Sequence, residues 1–256
     1  MRKLIAIALA ASLTGTLAAG DWNQFRGPGG SGVSDETGLP VKWSVGKDKQ
    51  ENVRWVADLP GRGVSGAVVG GGRVFVTACD WPQQKHLWVL CFDEATGKKL
   101  WQRTVLSTGG TQCHPKTCMA APTPVTDGKN VYALFATADL VAYDADGNLL
   151  WYRSLVGDYP KITNQVGMAA SPILARDMLV VPMDNPGDAF LAGIDLKTGQ
   201  NRWKAERPRD INWVTPILRP RGAAGEEVIF QGTDELVAYE LSSGKRAWGY
   251  GEGKLS

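Results

Sequence analysis

The sequence predicts an all-β protein, a β-propeller of four-stranded antiparallel blades, from three observations. Thirty-one glycines, fourteen prolines and ten tryptophans, with very few long helix-forming runs, call for many short strands joined by tight turns. One strand-turn-strand pattern occurs four times along the chain. A short apolar strand precedes each copy, and a further β-rich run lies between the two, which makes four strands per repeat.

In chain order, Met1-Arg2-Lys3, an apolar stretch over residues 4–17 and the small residues Ala18-Ala19-Gly20 have the arrangement of a secretory signal peptide, residues 1–20. The apolar stretch is shorter than the roughly 20 residues a bilayer span needs. No later segment is both long and apolar. An exported protein of the periplasm or the extracellular space is therefore expected, not inserted in a membrane. No cysteine follows the apolar core to carry acyl chains, so no lipid anchor is expected. Without Arg2 and Lys3 the charge balances, 28 − 2 = 26 basic residues against 26 acidic, and nucleic acid finds no field to follow. Residues 21–52 read as an irregular N-terminal arm that packs Trp22 and Phe25 onto the propeller.

Residues 53–250 carry the blades. The four copies are Leu90-Cys91-Phe92-Asp93 with Gly97 and Trp101, Val141-Ala142-Tyr143-Asp144 with Gly147 and Trp151, Ala192-Gly193-Ile194-Asp195 with Gly199 and Trp203, and Val237-Ala238-Tyr239-Glu240 with Gly244 and Trp248. The acid starts a turn by accepting backbone N–H bonds, and the glycine takes the positive φ that closes the hairpin. Each indole is too large for one thin sheet to cover, so it must bury itself between that sheet and a neighbour. Upstream, Ser65-Gly66-Ala67-Val68, Ala121-Pro122-Thr123-Pro124-Val125, Ser171-Pro172-Ile173-Leu174 and Thr215-Pro216-Ile217-Leu218 read as innermost strands, because proline lacks a ladder donor and is tolerated at an edge. Val53-Arg54-Trp55-Val56 reads as a lone outer strand, residues 251–256 as a truncated linker, and the ring as unfinished, an open arc with an exposed apolar blade face.

The acid-x-x-Thr-Gly-x-x-x-Trp spacing from Asp93 to Trp101 and from Asp195 to Trp203 resembles that of the PQQ-repeat propeller family, over roughly residues 53–250. The second copy has a turn one residue shorter, and the fourth has Ser243 in the threonine position. The segment from Asp21 to Pro28 looks like the mature N-terminus of secreted PQQ-like propeller proteins of planctomycete-type bacteria. The resemblance implies rings of seven or eight blades, and it extends both to non-catalytic outer-membrane assembly propellers and to quinoprotein dehydrogenases. The latter use PQQ, a Ca²⁺ ligand set, an Asp base and an adjacent Cys-Cys disulfide; this chain has no adjacent cysteines.

In such blades the glycine turns mark a plain face, and the opposite face collects the long connections, where binding usually resides. Candidate residues there are Trp81, His86, His114, Tyr159, Asp184 and Asp188. Asp184 and Asp188 have the residue type of a Ca²⁺ site, or form a polar turn with Asx hydrogen bonds. Cys113-His114-Pro115-Lys116-Thr117-Cys118 lacks the spacing of a zinc ribbon or a haem attachment site, and a local Cys113–Cys118 disulfide is the expectation in an oxidising compartment. Cys91 fills a slot taken elsewhere by Ala142, Gly193 and Ala238 and reads as core, out of register for a bridge to Cys79.

Three functions remain open. The first is a non-catalytic exported scaffold, without catalytic residues, metal or cofactor, that binds protein partners through the variable loop face or the blade edges. The second is a PQQ- and Ca²⁺-dependent alcohol or sugar dehydrogenase, or a degenerate copy of one. The third is a glycan or small-ligand binder using Trp81, Tyr159 and Trp213.

Overall fold

The computed structural model describes residues 20–46, 50–163, 167–222 and 225–251. The expected signal peptide, save Gly20, and the expected linker, save Gly251, lie outside the described residues. A two-stranded pair, β1 (Ser44–Val45) and β2 (Gln50–Glu51), precedes four sheets of four antiparallel strands each. Blade 1 holds β3 (Val68–Gly70), β4 (Arg73–Cys79), β5 (His86–Asp93) and β6 (Lys99–Leu106). Blade 2 holds β7 (Val125–Thr126), β8 (Asn130–Leu134), β9 (Asp139–Asp144) and β10 (Leu149–Ser154). Blade 3 holds β11 (Ile173–Ala175), β12 (Met178–Met183), β13 (Phe190–Asp195) and β14 (Asn201–Glu206). Blade 4 holds β15 (Ile217–Pro220), β16 (Glu226–Gln231), β17 (Leu236–Glu240) and β18 (Arg246–Tyr250). A single helical turn, α1 (Leu155–Asp158), follows β10.

The repeated motif acts across two blades. Asp93 accepts from the Thr96 backbone N–H at 2.8 Å and from its hydroxyl at 2.6 Å, and Asp195 receives the same pair from Thr198. The turn glycines Gly97, Gly147, Gly199 and Gly244 have φ of 69°, 81°, 70° and 68°. A Cβ on any of them would stand under 3.0 Å from the indole of the preceding unit, Trp55, Trp101, Trp151 and Trp203 respectively. Each of those indoles donates its N–H at 2.8–2.9 Å to the carbonyl just after the next blade's acid, at Glu94, Ala145, Leu196 and Leu241. Glycine is thus required twice over, for its backbone conformation and as the floor on which a neighbour's ring lies.

Two local features aim the indole. One extra residue bulges out of the ladder just before each of Trp101, Trp151, Trp203 and Trp248, which turns the strand and re-aims its side chain. Opposite each ring lies a small residue, Cys91, Ala142, Gly193 or Ala238, because the indole covers that site. Cys91 is accordingly a core side chain, and burial pushes its thiol up to about 11.

Residues 53–56 form no ladder, contrary to the expected lone strand. Trp55 nevertheless stacks on Phe92 and takes the staple position over Gly97. Trp55, and not Trp248 of blade 4, thus holds the staple position on blade 1. Trp248 instead donates to the Glu227 carboxylate of its own blade at 3.1 Å. Glu227 also pairs with Arg219 and Arg221, and together these hold its carboxyl below the usual range against the opposing effect of desolvation.

Candidate functional site

The inner edges of the blades are tied by a second repeated link. The backbone N–H of Gly66 donates to the Thr123 hydroxyl at 2.9 Å, that of Thr123 to the Ser171 hydroxyl at 3.0 Å, and that of Ser171 to the Thr215 hydroxyl at 3.0 Å. Proline follows each of these hydroxyl residues and lies just ahead of its inner strand, where a missing N–H costs the ladder nothing. The N-terminal arm crosses the inner edges in turn. Trp22 exchanges backbone bonds with Val69 of blade 1, the Asn23 carbonyl accepts from Thr126 of blade 2, and the Gln24 side chain accepts from Leu174 of blade 3. Gly27, at φ 68°, lies under the Trp22 ring much as the turn glycines lie under their staples.

Above this floor is a cavity of about 460 Å³. Gly66, Thr123, Ser171 and Thr215 line it, one from each blade, together with Phe25 and Arg26 of the arm. Ala169 and Trp213 are shared with an adjoining apolar groove of about 340 Å³, completed by His114, Thr117 and Gly167. The Trp213 ring is 55% exposed although its N–H is engaged by the Gly167 carbonyl at 3.0 Å. The ring is therefore held in one orientation while its face stays open.

The loops around the groove are braced by polar contacts that occur once each. Arg207 forms a two-pronged pair with Asp184 at 2.7 and 2.8 Å, donates to the Tyr239 hydroxyl at 2.9 Å and lies 4.0 Å from the Phe230 ring centre. Desolvation opposes the Arg207 charge, and the Asp184 carboxylate outweighs it, so the guanidinium is held above its ordinary value. Asp139 is wholly buried and accepts from the hydroxyls of Thr108, Thr137 and Tyr152, each at 2.6 Å. Burial first, and then Asp139, push the Tyr152 hydroxyl up to about 12. In blade 1 the buried Gln84 side chain accepts from the Met119 N–H at 2.9 Å.

The predicted site residues do not share one place. His114 and Trp213 line the groove, His114 with its Nδ1 accepting from the Lys116 N–H at 3.1 Å. Trp81 is 52% exposed on the loop after β4, with the Arg62 guanidinium 4.6 Å from its ring centre. His86 pairs with Asp80 at 3.2 Å at the start of β5. Tyr159 packs its ring 4.7 Å from that of Phe190 and accepts from Asn201 at 2.9 Å, a packing role. Asp188 receives the Lys161 N–H at 3.3 Å. All four cysteines are unbridged, and the thiols of Cys113 and Cys118 face different partners: Cys113 lies against Gln84, and Cys118 against the Arg62 carbonyl.

Sequence reasoning passed over Gln84, Asp139 and Arg207, which recur in no other blade. It also passed over the hydroxyl links, although the repeated Ser/Thr-Pro dipeptide marks them. The residues offered for a Ca²⁺ site, Asp184 and Asp188, are engaged within the protein. Arg207 and Asn212 occupy the Asp184 carboxylate, the Asn185 side chain is spent on its own turn, and among the described residues no group of three or more His, Cys, Asp or Glu could hold a metal ion.

The family model described as outer membrane protein assembly factor BamB matches residues 45–250. No curated protein matches significantly. Among solved structures, BamB from Moraxella catarrhalis has a TM-score of 0.54 at 20% identity, covering 79% of this chain and 56% of that one. Quinohemoprotein alcohol dehydrogenase from Comamonas testosteroni has a TM-score of 0.58 at 17% identity, covering 76% and 36%. Quinohemoprotein alcohol dehydrogenase ADHIIG from Pseudomonas putida HK5 has a TM-score of 0.57 at 16% identity, covering 77% and 35%. The chain thus spans little more than half of the first structure and about a third of the other two, and at these identities the likeness is one of fold.

Proposed function

The chain belongs to the family of the outer membrane protein assembly factor BamB, and from that premise we propose that it is an exported, non-catalytic scaffold that binds protein partners on its loop face. The contact site in this reading is the groove around Trp213. The observation that carries it is an apolar groove whose one large aromatic is fixed through its N–H and left open on its face. A rigid aromatic in a dry hollow loses little entropy on binding and is the kind of residue that anchors protein interfaces. The groove draws its walls from three inter-blade connections, those after β6, β10 and β14, so a partner there would touch the links that join all four blades. Export is supported by the order of residues 1–20, and among the described residues no helix is long and apolar enough to cross a membrane.

Among the described residues no three or more His, Cys, Asp or Glu gather as a dehydrogenase's metal ligands would, and Tyr159, offered for a glycan, packs on Phe190. The test is a fluorescence titration with extended peptides that alternate apolar and polar residues. Saturable quenching that is lost in Trp213→Ala supports the reading. Quenching by a sugar panel instead, or alcohol oxidation after addition of PQQ and Ca²⁺, would replace it.

A further inference from the structure

Three of the four cysteines converge where blade 1 meets the connection to blade 2. Cys79 ends β4, and Cys113 and Cys118 lie in the long segment after β6. Between them runs residue 62, whose backbone pairs in both directions with Cys79 at 2.8 Å, followed by Val64, which donates to the Ala120 carbonyl at 3.4 Å. The Cys79 and Cys118 sulfurs are 3.4 and 3.9 Å from the same Arg62 carbonyl oxygen, and both residues are 0% exposed. Cys113 lies on the far side of Gln84, whose side-chain oxygen the Cys79 sulfur also meets at 3.6 Å, and it does not share the Arg62 carbonyl. Its sulfur takes the Gln84 side-chain N–H at 3.3 Å, and it is partly exposed beside Gly167.

The geometry points to Cys79 and Cys118 as a disulfide pair in the oxidised protein, with Cys113 left as a thiol beside Gly167. This replaces the Cys113–Cys118 bridge that sequence spacing suggests. The two buried thiols also interact directly: Cys79 lowers Cys118, while Cys118 and burial raise Cys79. Cys118, carried on the long segment after β6, attacks first and Cys79 completes the bond.

The oxidant is a disulfide, of small-molecule or protein type. The Cys118 thiolate attacks one of its sulfurs, its S–S bond breaks, and one thiol departs with a proton. Cys79 then attacks the Cys118 sulfur of the mixed disulfide, its proton passing to the second departing thiol. Two protein thiols are oxidised to one S–S bond, and the oxidant is reduced to two thiols. Full burial of both sulfurs places this exchange before the segment after β6 closes over blade 1. The finished bond ties that segment, which carries His114 and Thr117, to the end of β4 and so fixes one wall of the groove. In the cell the bond depends on export to an oxidising compartment. The test supplies its own oxidant and is independent of that reading.

Full-length protein is refolded with glutathione disulfide, alkylated under denaturing conditions, digested and mapped by mass spectrometry. The expected result joins the Cys79 and Cys118 peptides, with Cys91 and Cys113 alkylated, and the bridge persists in Cys113→Ser. Reduction, or Cys79→Ala, should lower Tm by roughly 10 °C, since the closed loop is long. A Cys113–Cys118 linkage, four alkylated cysteines, or loss of the bridge in Cys113→Ser would overturn the assignment.

Discussion

At the rim, Trp55, Trp101, Trp151 and Trp203 meet the next blade in the same way four times, whereas on the loop face Arg207, Asp139, Gln84 and Trp213 each make contacts found nowhere else among the described residues. The rim is a scaffold, and its contacts are generic to any two adjoining blades. The loop face is individual, and whatever this protein recognises has to be encoded there.

The largest expected effect breaks the rim. Trp203→Ala removes a buried indole, its bond to the Leu241 carbonyl and the cover on Gly244, and should cost roughly 3–5 kcal/mol in a urea melt. Trp248→Ala, at the ring with no glycine beneath it among the described residues, should cost about 1 kcal/mol. Equal losses would mean that the joint is not what stabilises the blades. Next, Arg207→Ala leaves Asp184 buried with Asn212 as its remaining side-chain partner and should cost about 3 kcal/mol. The double change Arg207→Leu with Asp184→Leu should recover much of that loss, because the cost lies in an unpaired buried charge. Then Gly199→Ala, which sets a Cβ against the Trp151 ring at φ 70°, should cost roughly 2 kcal/mol.

A smaller effect is expected at acid pH. Arg202 and the Thr198 turn hold the Asp195 carboxyl down at about 2. Its folded value is thus depressed below the ordinary carboxylate value of about 3.9. The stability it contributes is present above that value and is lost as pH falls through 2. Acid titration of stability should therefore be shallower for Asp195→Asn than for the wild type, with the two curves merging near pH 2. The smallest structural effect belongs to Trp213→Ala, within about 0.5 kcal/mol for so exposed a ring, even though it should abolish peptide binding. A large loss of stability there would move Trp213 from the recognition surface to the scaffold.

The difference between the two regions also explains what could be read from the chain. Repetition exposed the blades, because Gly-x-x-x-Trp recurs and each half has a physical reason. The second half of that reason lies in three dimensions: the glycine is the neighbour's floor, so Trp55 acts as a staple without a glycine of its own unit before it. Thr123, Ser171 and Thr215 stood in plain view beside their prolines but were interpreted through the proline alone. On the loop face nothing repeats. Pairings such as Arg207 with Asp184, or Cys118 with Cys79, depend on how segments far apart in sequence meet in space, which spacing does not encode.

Hydrogen exchange at the tryptophan indoles, read residue by residue in ¹⁵N-labelled protein, tests the joint most directly. The N–H groups of Trp101, Trp151 and Trp203 should exchange only with global unfolding, that of Trp248 faster, and that of Trp43, 70% exposed, at the rate of a free side chain. Exchange of the Trp203 indole as fast as that of Trp43 would contradict the account.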